Sequence, residues 1–244
     1  MSPRKKLVAG NWKMNGLRAD GLALAMDVAA RAKANAPACE LLVCPPATIV
    51  AAVGEAIAGS PVALGGQDCA AAVKGAFTGD ISAEMLRDVG CSYVIIGHSE
   101  RRHGRGETDA AAHDKVAAAW RAGLRAILCV GETRAEREAG REVAVVAGQL
   151  AGSLPNGANA GNTVIAYEPV WAIGTGLTPT LDDIAAIHRA IRGDIADGMR
   201  ILYGGSCNPQ NAAAILALED VDGGLVGGAS LKGEDFWAIA EACR

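Results

Sequence analysis

Thr163-Val164-Ile165-Ala166-Tyr167-Glu168-Pro169-Val170-Trp171-Ala172-Ile173-Gly174-Thr175-Gly176 begins as a short apolar run, meets a carboxylate where the run stops, and then changes character. The run Thr163 to Tyr167 reads as a buried strand, which roots Glu168 on something rigid at the rim of a core. Pro169 fixes one dihedral and removes a donor, while Gly174 and Gly176 bracket a small-residue tip that can take conformations other residues resist. A stiff hinge, an apolar flap of Val170, Trp171 and Ile173, and such a tip together read as a lid. A carboxylate base beside a closing lid suits chemistry that must exclude water. The plainer reading is a surface glutamate before a glycine-rich loop, so the remainder of the chain has to decide.

Seven further runs resemble Thr163 to Tyr167: Lys6 to Asn11, Glu40 to Cys44, Val62 to Gly65, Tyr93 to Gly97, Ala126 to Val130, Arg200 to Tyr203 and Gly224 to Gly227. Between them lie segments of helical spacing. The clearest has Leu181, Ile184, Ile187, Ile191 and Ile195 on one stripe behind Thr180 and Asp183, which resemble a capping box. Phe236, Ile239, Ala240 and Cys243 form a similar stripe in the last segment. Strands alternating with helices over 244 residues predict an α/β fold, a single (β/α)8 barrel of eight parallel strands spanning residues 1–244. An open doubly wound sheet is the alternative, but no Gly-x-Gly-x-x-Gly follows the first strand and no Pro- or Ser-rich linker divides the chain.

Half of the residues are hydrophobic and only 4% are aromatic, so the core must be built from Ala, Val, Ile and Leu, which suits parallel strands buried on both faces. The net charge of -4, with no basic cluster longer than Arg4-Lys5-Lys6, argues against a nucleic-acid or anionic-membrane partner. Seven scattered cysteines without a Cys-x-x-Cys pair fit reduced thiols in a cytoplasmic protein better than a disulfide frame or a zinc site. No apolar run approaches the roughly 20 residues that cross a bilayer. No metal is expected, because no His pair lies at ligand spacing and the acidic residues do not cluster.

Parallel barrels present functional groups at the carboxyl ends of their strands. Those ends carry Asn11-Trp12-Lys13, Gly97-His98-Ser99-Glu100, Glu168, Gly204-Gly205-Ser206 and Gly227-Gly228. On one rim, a cation, an imidazole, a carboxylate and two Gly-Gly turns suit proton transfer on a small phosphorylated compound. Lys13 alone could be an ordinary surface lysine, but a cation directly after an apolar strand and a Trp is better explained by anion binding. His98 alone could be a core histidine. It gains weight because Ser99 to Arg102 reads as a helix start, whose dipole disfavours imidazolium and leaves a neutral donor. Glu100 reads equally as an ion-pair partner for Lys13 or as a catalyst. Cys129 reads as packing, and His103, His113 and His188 receive no role.

These residues resemble the motifs of one family, the triosephosphate isomerases. The resemblance rests on Ala9 to Asn15, Gly97-His98-Ser99-Glu100-Arg101-Arg102, Ala166 to Gly176, Tyr203-Gly204-Gly205-Ser206 and Val226-Gly227-Gly228-Ala229-Ser230, in family order and spacing from about Lys6 to Leu231. It implies a (β/α)8 barrel that interconverts dihydroxyacetone phosphate and glyceraldehyde 3-phosphate without a cofactor, in glycolysis and gluconeogenesis. By similarity Glu168 is the base and His98 the neutral electrophile; this tuning is a known property of the family and is carried over with it. Asn11 and Lys13 would line the site, Lys13 countering phosphate and enediolate charge, while backbone N–H groups near Gly174, Ser206, Gly227 and Gly228 would hold the phosphate. The loop from Gln67 to Asp80 resembles the family's subunit-contact loop and implies a homodimer. Asp68, Asp80 and Cys207 depart from the usual Asn, Glu and Val, and the first two bear on the subunit contact. Two other readings remain at this stage. One is a different phosphate-binding barrel isomerase, whose site should lack the joint Lys, His, Glu and lid; the other is a catalytically silent barrel.

Overall fold

The computed structural model describes residues 4–173 and 177–243. Its strands are β1 (Leu7–Asn11), β2 (Glu40–Cys44), β3 (Val62–Gly66), β4 (Tyr93–Ile96), β5 (Arg125–Val130), β6 (Thr163–Tyr167), β7 (Arg200–Tyr203) and β8 (Gly223–Val226). The helices are α1 (Arg18–Ala34), α2 (Val50–Ala56), α3 (Ala83–Asp88), α4 (Ser99–Arg105), α5 (Asp109–Arg121), α6 (Arg134–Glu138), α7 (Glu142–Ser153), α8 (Leu181–Asp194), α9 (Ala212–Leu216) and α10 (Gly233–Glu241). Every strand pairs in parallel with the next, and β8 returns to β1 with Leu7 opposite Gly223, so the sheet closes. Closure excludes the open doubly wound alternative. The seam needs a glycine, because Gly223 has φ +141° and a Cβ there would lie 1.8 Å from the Leu7 carbonyl oxygen.

The two-residue period of a strand sorts the apolar residues into two cores. Leu7, Ala9, Leu42, Ile95, Ile127, Cys129, Val164 and Ala166 fill the barrel interior. Val8, Leu41, Val43, Val94, Ile96, Leu128 and Ile165 point outward and pack beneath the helices. Both faces are therefore dry, which is why these strands read as continuous apolar runs and not as alternating ones.

Helix starts are set locally. The Thr180 hydroxyl accepts the Asp183 N–H at 3.1 Å while the Asp183 carboxylate accepts the Thr180 N–H at 3.1 Å, the reciprocal box expected from sequence. Thr133 and Glu136 form a second box at α6. On α8 the expected stripe holds at Ile184, Ile187 and Ile191, which are buried; Leu181 opens the helix with 43% exposure, and Ile195 has left it as the C-cap. On the last stripe Phe236, Ile239, Ala240 and Cys243 are all buried.

Candidate active site

With all strands parallel, the ends of β1, β4, β6, β7 and β8 share one rim. Glu168 follows β6 directly and is only 2% exposed. Its N–H donates to the Val130 carbonyl at 2.8 Å, extending the β5–β6 pairing by one residue. Its Oε1 lies 2.8 Å from His98 Nε2, and its Oε2 accepts the Ser99 N–H at 2.8 Å. The backbone around it has little room: a Cβ on Gly131 would fall 1.7 Å from the Glu168 carbonyl oxygen. Gly131 was not singled out in the sequence, because a glycine after an apolar run looks like any turn.

His98 is the N-cap of α4, and its Nδ1 accepts the Glu100 N–H at 3.2 Å. A nitrogen that accepts carries no proton, so the imidazole proton sits on Nε2 and points at Glu168. Burial disfavours a charged imidazole, but the Glu168 carboxylate beside it lifts the His98 pKa above its ordinary value. Burial likewise disfavours charge on Glu168, yet His98 and the Ser99 N–H together hold its carboxyl below the usual range. The upward shift and the accepting Nδ1 point in opposite directions for His98. The Nδ1 contact decides for the neutral form, since an imidazolium would set one N–H against another.

Lys13 stands at φ +54°, the one positive φ outside glycine among the described residues. Such a backbone is costly and persists where neighbours over-determine it. Here the Asn11 side chain accepts the Lys13 N–H at 3.0 Å, and the Gln67 amide donates to the Lys13 carbonyl at 2.8 Å and to that of Cys44 at 2.9 Å. The Lys13 ammonium lies 2.6 Å from Glu100 Oε1, so of the two readings left open for Glu100 the structure places it as the ion-pair partner. Because Glu100 is 56% exposed, that pair is weakly held and can be exchanged for another anion.

Asn11, Lys13, His98, Glu168, Ser206, Gly227 and Gly228 line one cavity of about 350 Å³. A larger recess of about 540 Å³ lies on the other side of Lys13 and reaches Met14, Gln67 and Asp68, but Glu168 does not line it. The smaller cavity therefore holds the chemistry. Gly174, expected at the phosphate, lies outside the described residues with the rest of the lid tip.

The lid root is a single 3-10 turn, Val170–Ala172. Trp171 Nε1 donates to Glu132 Oε1 at 2.8 Å, the Tyr167 hydroxyl donates to the same oxygen at 3.1 Å, and the Arg137 guanidinium lies 5.9 Å from the Trp171 ring centre. The Ser206 hydroxyl donates to the Ala172 carbonyl at 2.8 Å, joining the turn after β7 to the lid. Sequence reasoning missed Glu132, fully buried just past β5. The signal that found Glu168 was there too, a carboxylate ending an apolar run.

A closed parallel barrel whose rim pairs a buried carboxylate with a neutral imidazole beside a lysine defines a class, the (β/α)8 enzymes equipped for proton transfer. Comparison with known proteins narrows it. The family model described as "Triosephosphate isomerase" matches residues 6–243. The chain is 60% identical to the triosephosphate isomerase of Afipia carboxidovorans, over 98% of each protein, and 56% identical to that of Rhodopseudomonas palustris, again over 98% of each. The crystal structure of triosephosphate isomerase from Bartonella henselae superposes with a TM-score of 0.90 at 44% identity, over 98% of both chains. The chain belongs to the triosephosphate isomerase family.

Proposed function

We propose that this protein interconverts dihydroxyacetone phosphate and D-glyceraldehyde 3-phosphate through an enediolate, in glycolysis and gluconeogenesis, with Glu168 as the base. The observation that carries the reading is the 2.8 Å Glu168–His98 pair within one cavity that also holds Lys13. Glu168 takes a proton from the carbon beside the carbonyl and returns it to the neighbouring carbon. His98 donates from Nε2 to the oxygen on which negative charge develops, and Lys13 supplies a fixed positive charge nearby. Asn11 positions Lys13. Backbone N–H groups at Ser206, Gly227, Gly228 and Gly174 hold the phosphate, and no cofactor takes part.

In the present arrangement Glu168 is occupied by His98 and Ser99, so substrate must displace it from both. That exchange makes it a stronger base: the two contacts that hold its carboxyl low are lost, while burial, which pushes the carboxyl up, remains. Binding energy from the remote phosphate offsets the loss, and lid closure keeps the enediolate phosphate from eliminating phosphate into water.

The protein acts in the cytoplasm as a homodimer joined through the loop from Gln67 to Asp80. Large exposed apolar side chains support this: Val73 (45%) and Phe77 (52%) within the loop, and Met14 (96%), which shares a recess with the loop residues Gln67, Asp68 and Asp80. Asp68, where the family usually has Asn, has its carboxylate 2.9 Å from Lys115 and 2.8 Å from Arg101 within its own chain, and Asp80 is exposed.

The test is a coupled assay with glyceraldehyde 3-phosphate, without metal or cofactor, run beside Glu168→Gln purified in parallel. Wild type should turn over, and the variant should lose about 10³-fold or more in kcat while still binding a substrate analogue. Comparable rates in the two would remove Glu168 as the base. No turnover by folded wild-type dimer would favour a binding protein.

A further inference from the structure

Glu168 takes its place from the chain at the end of β5. Its N–H donates to the Val130 carbonyl, and its own carbonyl lies so close to Gly131 that a Cβ there would fall 1.7 Å from the oxygen. The lid root rests on the next residue: the Val170 N–H donates to the Glu132 carbonyl at 3.1 Å, and Trp171 and Tyr167 donate to the Glu132 carboxylate. Base and hinge therefore share one support, the pair Gly131 and Glu132. That support lies past the last residue of β5, and Gly131 is buried. Buried backbone groups need partners, and here one side chain of the outer ring serves both. Gln149 of α7 accepts the Gly131 N–H at 2.7 Å and donates to the Gly131 carbonyl at 3.1 Å. Arg102 holds the strand itself two residues earlier, donating to the Cys129 carbonyl at 3.3 Å, so loss of Gln149 would release Gly131 and Glu132 while β5 stays anchored.

We infer that Gln149 is a positioning residue for the reaction, a two-point clamp that fixes Glu168 and the lid root through Gly131; this rests on Glu168 being the base. Gln149 does not line the cavity that holds Glu168, so it acts only through the backbone it grips. Displacing a reacting group by about 1 Å can slow a reaction on the order of 100-fold. Ser206, Gly227 and Gly228 follow β7 and β8, so the phosphate contacts do not depend on the clamp.

The test compares wild type with Gln149→Leu, which fills similar space and removes both hydrogen-bonding atoms, and with Val146→Ala, which removes core volume from the same helix. Gln149→Leu should lower kcat about 10- to 100-fold with KM within about threefold, while Val146→Ala should lower the melting temperature and keep kcat. A wild-type kcat in Gln149→Leu, or an equal loss in Val146→Ala, would overturn the inference. Gln149→Glu adds a pH profile. Its carboxylate can accept the Gly131 N–H but sets an oxygen against the Gly131 carbonyl; once protonated, it donates there as the amide does. Its kcat relative to wild type should therefore rise as pH falls from about 7 to about 5, and a flat ratio would overturn the clamp. Independently of turnover, the indole N–H resonance of Trp171, assigned by its loss in Trp171→Phe, should move in Gln149→Leu, and an unmoved resonance would show that Glu132 keeps its place without Gln149. Failure of the catalytic reading shows separately, as an inactive wild type or as Glu168→Gln at full rate, and the Trp171 resonance still decides the role of Gln149.

Discussion

At the scale of single residues, the site depends on side chains held in positions they would not choose alone. Lys13 takes a left-handed backbone, and two hydrogen bonds, one accepted by Asn11 and one donated by Gln67, keep it there. Its ammonium rests on Glu100 while awaiting a better anion. Lys13→Met keeps the length of the side chain and removes the charge, so the loss should appear chiefly as weaker binding of phosphorylated ligands. A hydrogen bond to a charged group contributes about 1.5–3 kcal/mol, so a drop in affinity of about 10- to 100-fold is expected by titration with a phosphorylated analogue. Unchanged affinity would count against its electrostatic role. Glu168 shows the same principle differently, since burial would push its carboxyl up while His98 and the Ser99 N–H hold it below the usual range.

At the scale of elements, α8 follows the lid and is anchored by the reciprocal Thr180–Asp183 box, with Asp183 also ion-paired to Arg137. Arg137 in turn lies over the Trp171 ring of the lid root, so the start of α8 and the hinge share one neighbour. Thr180→Ala removes the hydroxyl that caps the Asp183 N–H. It should cost about 1 kcal/mol and lower the melting temperature by roughly 2–4 °C, read by calorimetry. A shift near zero would mean that Asp183 and Arg137 hold this end without the hydroxyl.

At the scale of the whole molecule, acid stability should report on His188. It is fully buried between α8 and the barrel, its Nδ1 is 3.0 Å from the Asp220 carbonyl, and its ring packs edge-on to Tyr167 at 5.8 Å. Burial pushes its pKa down to about 4. The unfolded chain therefore binds a proton near the ordinary value of about 6.5 while the folded chain does not. Above that pH the residue contributes nothing to pH dependence. As pH falls from about 6.5 to 4, stability drops by about 1.4 kcal/mol per unit, roughly 3 kcal/mol in all, and levels off once the folded form also takes the proton. Urea unfolding of wild type and His188→Asn across that range should show the steeper fall only in wild type. Assembly is tested separately: Phe77→Asp should sediment as a monomer and lose most turnover, whereas a dimer of normal activity would move the subunit contact elsewhere.

The sequence by itself determined the strands, the single-domain (β/α)8 plan and the motif residues now found on one rim, because each signal is local. An apolar run, a turn glycine, a capping pair or a carboxylate at a strand end is legible within about ten residues. What the tertiary structure decided lies between distant segments. Closure of β8 on β1 depends on Gly223 passing against Leu7, a contact no local pattern announces. The pairing of Glu168 with His98 and Ser99, the role of Gly131 in making room for the Glu168 backbone, and the burial of Glu132 under the lid root each join residues tens of positions apart. The meeting of the Cys39 thiol with the Ala240 carbonyl joins residues 201 positions apart. Spacing in the chain carries no record of such encounters, since they arise only when the sheet closes and the packing of the whole barrel fixes which side chains share a volume.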